Sequence, residues 1–430
     1  MAFTTVRSAT GVDFIGTPGV DVGVFFDETG NVVASGLGGD DVITINNSTG
    51  IQRTTTLNGD AGNDQITSFS SLSESSLNGG QGSDDINLGA FAVANSFIGG
   101  GDGSDAIIGG QQFLATLVTG GAGADTITVA VNLALATVNG GAGNDTIDLT
   151  NGAGQVFNGS SINGNAGNDI IDGSFLDVTL SGDNFIGAGA DDDFVNFFGA
   201  TTDNGVGIVA GLGFTLNGGS GNDSIVGSTE NDEISGGADN DTINGDFGED
   251  TILAGAGDDE IQANGDIITG GAGADTYRDF GGTSTFVISA VANSAAATSG
   301  TARTFDNFAL YGDFSFGDVL DITAVTNQLA GGQYTGAVGG DTADQVNLGA
   351  FGPFADFGAL KAFIDLNIAP FFDASSVNVI ESYTFSADID GAGVTDYLWI
   401  QVSQRAFTSS DLLFEIANPV SIPGNFIAVA

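Results

Sequence analysis

The residues of this chain with the clearest chemistry are aspartates that follow glycines in a fixed nine-residue order. Gly79–Asn87 reads GGQGSDDIN, Gly120–Thr128 GGAGADTIT, Gly140–Asp148 GGAGNDTID and Gly218–Val226 GGSGNDSIV. All four fit G-G-x-G-x-D-x-U-x, with U a large apolar residue. They put Asp84, Asp125, Asp145 and Asp223 at the sixth place. Looser copies centre on Asp41, Asp64, Asp105, Asp169, Asp192, Asp232, Asp241, Asp250, Asp259 and Asp275, and Asp21 in GTPGVDVGV is a degenerate one.

Glycine permits the positive φ of a tight turn, and such a turn can aim several backbone carbonyls at one point. The aspartate adds a carboxylate to that oxygen cluster. Calcium takes six to eight oxygens in flexible geometry, so these turns suit Ca2+ without any His or Cys. The apolar residue two places on (Ile43, Ile66, Ile86, Ile127, Ile147, Ile225) points inward from a short strand, because strand side chains alternate. These isoleucines are core residues, not ligands.

The bulk composition agrees with metal ligation. Acidic residues number 54 and basic ones 6, a formal charge of −48, yet 41% of the 430 residues are hydrophobic. A chain this apolar should fold, so something must neutralise the carboxylates. No Lys or Arg lies between Arg53 and Arg278, so ion pairs cannot do it there and divalent cations can. The same charge disfavours nucleic acid and anionic membrane surfaces. No apolar run is long enough to span a bilayer, and the first ten residues lack the features of a standard signal peptide. With no His and no Cys, imidazole triads, HExxH zinc sites and thiol nucleophiles are excluded. A β-helical polysaccharide lyase using calcium and an Arg base stays open as a minor reading.

The elements that position the aspartates follow from their spacing. They fall at 41, 64, 84, 105, 125, 145, 169 and 192, with gaps of 20 to 24, then at 223, 232, 241, 250 and 259, nine apart, and finally at 275. Coils of a solenoid share a core and a coordination shell that one coil lacks. Early coils of about 20 residues each have one calcium turn, followed by an apolar half such as Val129–Val138. Later coils are two nonapeptides, with Asp223, Asp241 and Asp259 stacked on one edge and Asp232 and Asp250 on the other. The expectation is a single calcium row before residue 217, with a nearly neutral opposite edge, and a double row after it. About twelve coils at about 4.8 Å each predict a rod about 60 Å long.

The repeats from about Gly36 to Arg278 resemble the RTX, or haemolysin-type calcium-binding, family. The resemblance implies a right-handed parallel β-solenoid or β-roll and type I secretion with an uncleaved C-terminal signal. Phe314–Thr323 and Asp388–Val402 look like the C-terminal part of serralysin-type secreted proteins, although a zinc protease domain is missing. Asp388, Asp390 and Gly391 or Gly393 begin like an EF-hand loop, but the twelfth position is Trp399, which makes a β-hairpin the better reading.

The predicted class is thus all-β: a cap and degenerate first coil over 1–35, a one-turn-per-coil solenoid over 36–217, a tandem nonapeptide roll over 218–282 and a β-rich C-terminal domain over 283–430. In that last part Thr285–Ala292 and Asp396–Ser403 read as strands and Phe357–Leu366 as a short helix. Its phenylalanines, Phe351, Phe354, Phe357, Phe371 and Phe372 among them, read mostly as core. The expected function is a secreted calcium-binding structural protein that folds on calcium and assembles into a surface layer, sheath or matrix fibre. Expected partners are copies of itself and the type I secretion machinery. The alternative is an adhesin or carbohydrate-binding module on a cell-surface glycan.

Overall fold

Short runs in which apolar residues alternate with polar ones, closed by Gly-Asp turns, leave the chain no element but the strand. In the computed structural model every described element is a β-strand. It describes residues 4–7, 11–26, 31–46, 52–129, 132–150, 153–181, 183–202, 213–273, 275–280, 282 and 284–287, and then the strand backbone at 307–310, 319–321, 345–354, 381–389, 394–401, 412–416 and 427–428. The chain forms two units, Met1–Asp232 and Glu233–Ala430.

The first unit is a parallel β-solenoid. One coil shows its plan. Ser76–Gln81 lies in a first sheet, a Gly-Asp turn follows, and Asp85–Asn87 lies in a second. Ala92–Ala94 then lies in a third before Phe97–Asp102 begins the next coil. Pairing between coils is parallel and in register: Leu77 stands between Leu57 and Ile98, Ile86 between Ile66 and Ile107, and Val93 between Leu72 and Phe113. These inward columns are all buried and form one core. Burying a Leu, Ile or Phe contributes about 1.5–3 kcal/mol each, so the strict repeat is itself a source of stability.

The apolar half of the early coils is therefore a third face. Its eight strands run from Gln52–Arg53 to Thr201–Thr202 and stack Leu133 on Phe157 and Phe157 on Leu180. Eight to ten residues beyond the second sheet suffice for a corner and one more strand. The solenoid opens with Thr4–Arg7 laid antiparallel on Gly11–Ile15.

The second unit begins with two-sided coils, because tandem nonapeptides leave room only for a turn between strands. Ile234, Ile252, Ile268 and Phe286 fill one side, and Ile243, Ile261 and Tyr277 the other. The Tyr277 and Phe286 rings meet edge to face at 5.4 Å. Further on, Asn307–Leu310 pairs parallel with Thr276–Asp279 and Val319–Asp321 with Thr285–Val287. Glu381–Ile389 and Val394–Gln401 pair antiparallel with Asp388 opposite Val394, which is the hairpin expected in place of an EF-hand. The helix expected at Phe357–Leu366 and the side chains of the C-terminal phenylalanines lie outside the described residues.

Candidate metal centre

The inward U residue fixes where each motif aspartate sits. It lies just before a second-sheet strand, at the end of the Gly-rich turn, and its carboxylate reaches toward the next coil. The backbone N–H of Asp84 donates to Oδ1 of Asp105 at 2.7 Å, that of Asp105 to Asp125 at 2.8 Å, and that of Asp125 to Asp145 at 2.8 Å. The same bond, at 2.7–2.9 Å, links Asp21 to Asp41, Asp41 to Asp64, Asp64 to Asp84 and Asp145 to Asp169. It continues from Asp169 to Asp193 and from Asp193 to Asp223. One edge of the first unit is thus a ladder of buried carboxylates.

This register corrects one assignment. The rung in GAGADDDFV is Asp193, not Asp192. Only Asp193 stands two places before the inward Val195, and it is buried. Asp192 is exposed and accepts from the N–H and Nδ2 of Asn222 at 2.7 and 3.1 Å. Three adjacent aspartates hid the register, and the distance to the apolar residue would have resolved it.

In the second unit Asp241 bonds to Asp259 at 2.8 Å and Asp259 to Asp275 at 3.1 Å. A second row there joins the Asp250 N–H to Oδ1 of Asp266 at 3.1 Å. Asp266 was missed because no Gly-Gly pair precedes it. Its signal was Asp-x-Ile, 16 residues after Asp250, the interval that separates Asp259 from Asp275.

Opposite the ladder, the early coils carry neutral rungs. The Thr55 N–H donates to Oγ of Ser75 at 3.2 Å, Ser75 to Ser96 at 3.0 Å, and Ala136 to Ser160 at 3.2 Å. The Ser160 N–H donates to Oδ1 of Asn184 at 3.0 Å, and the Phe214 N–H to Oδ1 of Asp232 at 2.6 Å. Asp232 is the one carboxylate in this row among the described residues of the unit, and it also accepts from the N–H and hydroxyl of Ser228.

The Gly-Asp turns fit a hard cation. In Asp41, Asp64, Asp84, Asp105, Asp125, Asp145, Asp169 and Asp193 Oδ1 accepts the N–H of the preceding rung, but the buried Oδ2 has no hydrogen-bond partner among the described residues. A Cβ on Gly79 would strike Oδ2 of Asp84 and the carbonyl oxygen of Gly100, and one on Gly100 would strike Oδ2 of Asp105 and the carbonyl oxygen of Gly120. A carboxylate oxygen and a carbonyl oxygen of the next coil thus flank one space that only glycine leaves open. Gly80 and Gly82, at φ of 120° and 125°, hold the turn in the left-handed region. Among the described residues no three carboxylates gather in one place, as expected if backbone oxygens supply most of the ligands.

The electrostatics show what these rungs lack. Burial is the main cause raising the Asp105, Asp145 and Asp193 carboxyls from 3.8 to about 7, with neighbouring rungs adding repulsion and the N–H bond opposing both. Asp41, Asp64 and Asp169 rise to about 6 for the same first reason. A carboxylate that resists ionisation among its own kind is one that a divalent cation would stabilise.

Fold and turn together define a calcium-binding parallel β-solenoid. The family model for the RTX calcium-binding nonapeptide repeat (4 copies) matches residues 50–68, 137–156, 160–175, 217–252 and 245–277. These segments are RTX calcium-binding nonapeptide repeats, and the cofactors they imply are multiple Ca2+ ions. A solved structure, that of a hyperactive, Ca2+-dependent, β-helical antifreeze protein from an Antarctic bacterium, is similar at 18% identity and a TM-score of 0.41. The similarity covers 68% of this chain and 86% of that one. Comparison with curated proteins finds no match.

Proposed function

We propose that this protein is a secreted structural scaffold that folds when calcium reaches its aspartate ladder and then assembles with copies of itself into an extracellular layer, sheath or fibre. The observation that carries the reading is the run of buried Oδ2 atoms without partners from Asp41 to Asp193. A site absent from the unfolded chain turns metal binding into folding free energy. In low-calcium cytosol the rungs repel and the coils stay open, a state suited to export. Asp41, Asp64, Asp84, Asp105, Asp125, Asp145, Asp169, Asp193, Asp223, Asp241, Asp250, Asp259 and Asp275 are the proposed carboxylate ligands. Calcium supplies charge neutralisation and cross-links adjacent coils. The serralysin-like segments would direct type I secretion, and no described helix is long and apolar enough to cross a membrane.

Most described residues serve the solenoid itself, and the sequence has no imidazole or thiol, which favours a scaffold over an enzyme. Purified protein refolded in millimolar calcium and viewed by negative-stain microscopy tests the assembly. Ordered sheets or fibres are the expected result. Dispersed monomers would sink it.

A second reading, an adhesin for a repeating polymer such as a cell-surface glycan, rests on the outer face of the first sheet. Thr56, Ser76, Thr137, Ser161 and Thr215 form one column there, and Asn58, Asn78, Asn139, Asn163 and Asn217 another. Phe97, Leu117 and Phe185 interrupt the hydroxyl column, and the two phenylalanines lie over Gly99 and Gly187, which interrupt the other. Retention of monomers on immobilised glycans would favour this reading.

A further inference from the structure

The aspartates at ladder positions fall into two groups, and the backbone four residues upstream separates them. In the Gly-Asp turns that residue is left-handed: Gly80 before Asp84 has φ 120°, Gly121 before Asp125 has φ 122°, and Asn165 before Asp169 has φ 84°. Its N–H and any side chain then point away from its own aspartate, whose Oδ2 is left facing the glycine gap. Thr17 before Asp21, Ser228 before Asp232 and Gln262 before Asp266 are not left-handed.

At these three turns the second oxygen is occupied from within the turn. Thr17 donates its N–H to Oδ2 of Asp21 at 2.5 Å and its hydroxyl at 2.9 Å. Ser228, fully buried, donates its N–H to Oδ2 of Asp232 at 2.6 Å, and its Oγ lies 3.0 Å from both carboxylate oxygens. Asp266 receives the Asn264 N–H on Oδ2 at 2.8 Å. Hydrogen bonds to a carboxylate stabilise its charged form as a cation would. They also use the lone pairs that a cation would need.

We infer that Asp21, Asp232 and Asp266 are metal-free rungs, in which short-range N–H and hydroxyl donors replace calcium. The inference rests on the calcium reading of the other rungs and deepens it. Asp21 begins the ladder of the first unit, so Thr17 caps that row without a metal. Asp232 is the sole carboxylate of the neutral row among the described residues of the same unit, and Ser228 lets it fold there with no second calcium row. At Asp21 and Asp232 the cap is a Thr or Ser four places before the aspartate and outside the left-handed region, whereas Asp266 has Gln262 there and takes its cap from the Asn264 N–H.

The test is the calcium content of the full chain, measured by equilibrium dialysis and metal analysis. The variants are D21N, D232N and D266N singly, against D105N and D145N. The first three should bind as many ions as the parent, while each of the last two should lose at least one. Loss of calcium in the first three as well would overturn the inference and leave the ladder reading intact. No loss in any of the five would overturn the ladder reading instead. Because Asn cannot accept the Thr17 or Ser228 N–H at its amide nitrogen, a capped-rung variant can fail to fold. Anomalous scattering from crystals of the parent chain exchanged into terbium covers that case. Peaks are expected at the turns of Asp84 and Asp105 and none at Asp21, Asp232 or Asp266, and a peak at any of these three refutes it.

Discussion

Asp105→Asn separates a metal ligand from a merely structural rung, because the two roles predict different signs. Oδ1 of Asp105 accepts the Asp84 N–H at 2.7 Å, and a carboxamide oxygen can keep that bond. Oδ2 is buried without a partner, and burial raises the carboxyl to about 7. Above that pH the chelated protein holds a charge it does not favour. The span from 3.8 to about 7 corresponds to about 4 kcal/mol at most. Water at the mouth of the turn screens this, and we expect the substitution to stabilise the calcium-free state by about 1–2 kcal/mol. In calcium a thousandfold above Kd, one lost site forfeits about 4 kcal/mol. The net effect there is destabilisation by about 2–3 kcal/mol, and more if neighbouring turns share ligands. The assay is denaturant unfolding followed by circular dichroism at pH 8, in chelator and in calcium. A change of the same sign in both conditions would refute the account of the ladder.

The calcium-free protein should also lose stability as pH rises. Folded Asp41, Asp64 and Asp169 bind protons up to about 6, and Asp105, Asp145 and Asp193 up to about 7, against 3.8 for an unfolded aspartate. Their contribution is complete below 3.8 and disappears as pH rises through 6 to 7. Thermal melts in chelator should therefore show Tm falling across that window, with calcium flattening the slope; a Tm that climbs with pH contradicts the burial argument. Gly121→Ala puts a Cβ against the Gly101 carbonyl oxygen at φ 122°, and should cost more than the about 1 kcal/mol of ordinary left-handed strain, read as a drop in denaturant midpoint with calcium present. Phe113→Ala empties a fully buried place in the third sheet and should cost about 3–5 kcal/mol while leaving the calcium stoichiometry at saturation unchanged. A fall in bound calcium in that variant would show that the third face shapes the turns.

How much of this was legible beforehand depended on whether the signal was local. Asp84, Asp125 and Asp145 declare themselves because glycine, carboxylate and inward isoleucine all stand within nine residues. The spacing also indicated how the early rungs stack, as Asp64, Asp84 and Asp105 do, since a parallel coil repeats at constant register. The third sheet was not legible. Val93 and Leu133 read as parts of apolar runs, and three-residue strands leave too little alternation to separate from a plain filler segment. Asp192 and Asp193 could not be told apart by composition, only by distance to Val195. The caps were hidden for another reason. Thr17 and Ser228 are unremarkable residue types, and their meaning depends on the sign of one φ angle.

The two edges of the first unit also explain why glycine is concentrated where it is. On the neutral edge, the corner residues Glu74, Asn95, Ala115 and Leu135 take φ near 50° without being glycine. Each is followed by a small or hydroxyl residue, Ser75, Ser96, Thr116 or Ala136. Left-handed strain at those corners, about 1 kcal/mol or more each, is tolerated because side chains can point outward. Serine and threonine oxygens meet the N–H groups there directly, as Ser96 does for Ser75. On the aspartate edge a Cβ at Gly79, Gly80, Gly100 or Gly101 would strike carbonyl or carboxylate oxygens that close around the turn. Glycine is favoured there by crowding as well as by φ, although Leu37, Asp60 and Asn165 take the left-handed place in three of the turns. The neutral edge is held by hydrogen bonds that no chelator removes, whereas the aspartate edge keeps a buried charge in every coil from Asp41 to Asp193. Calcium withdrawal should therefore open the first unit from the aspartate edge, with amide exchange rising first beside Asp105 and Asp125 and last beside Ser75 and Ser96.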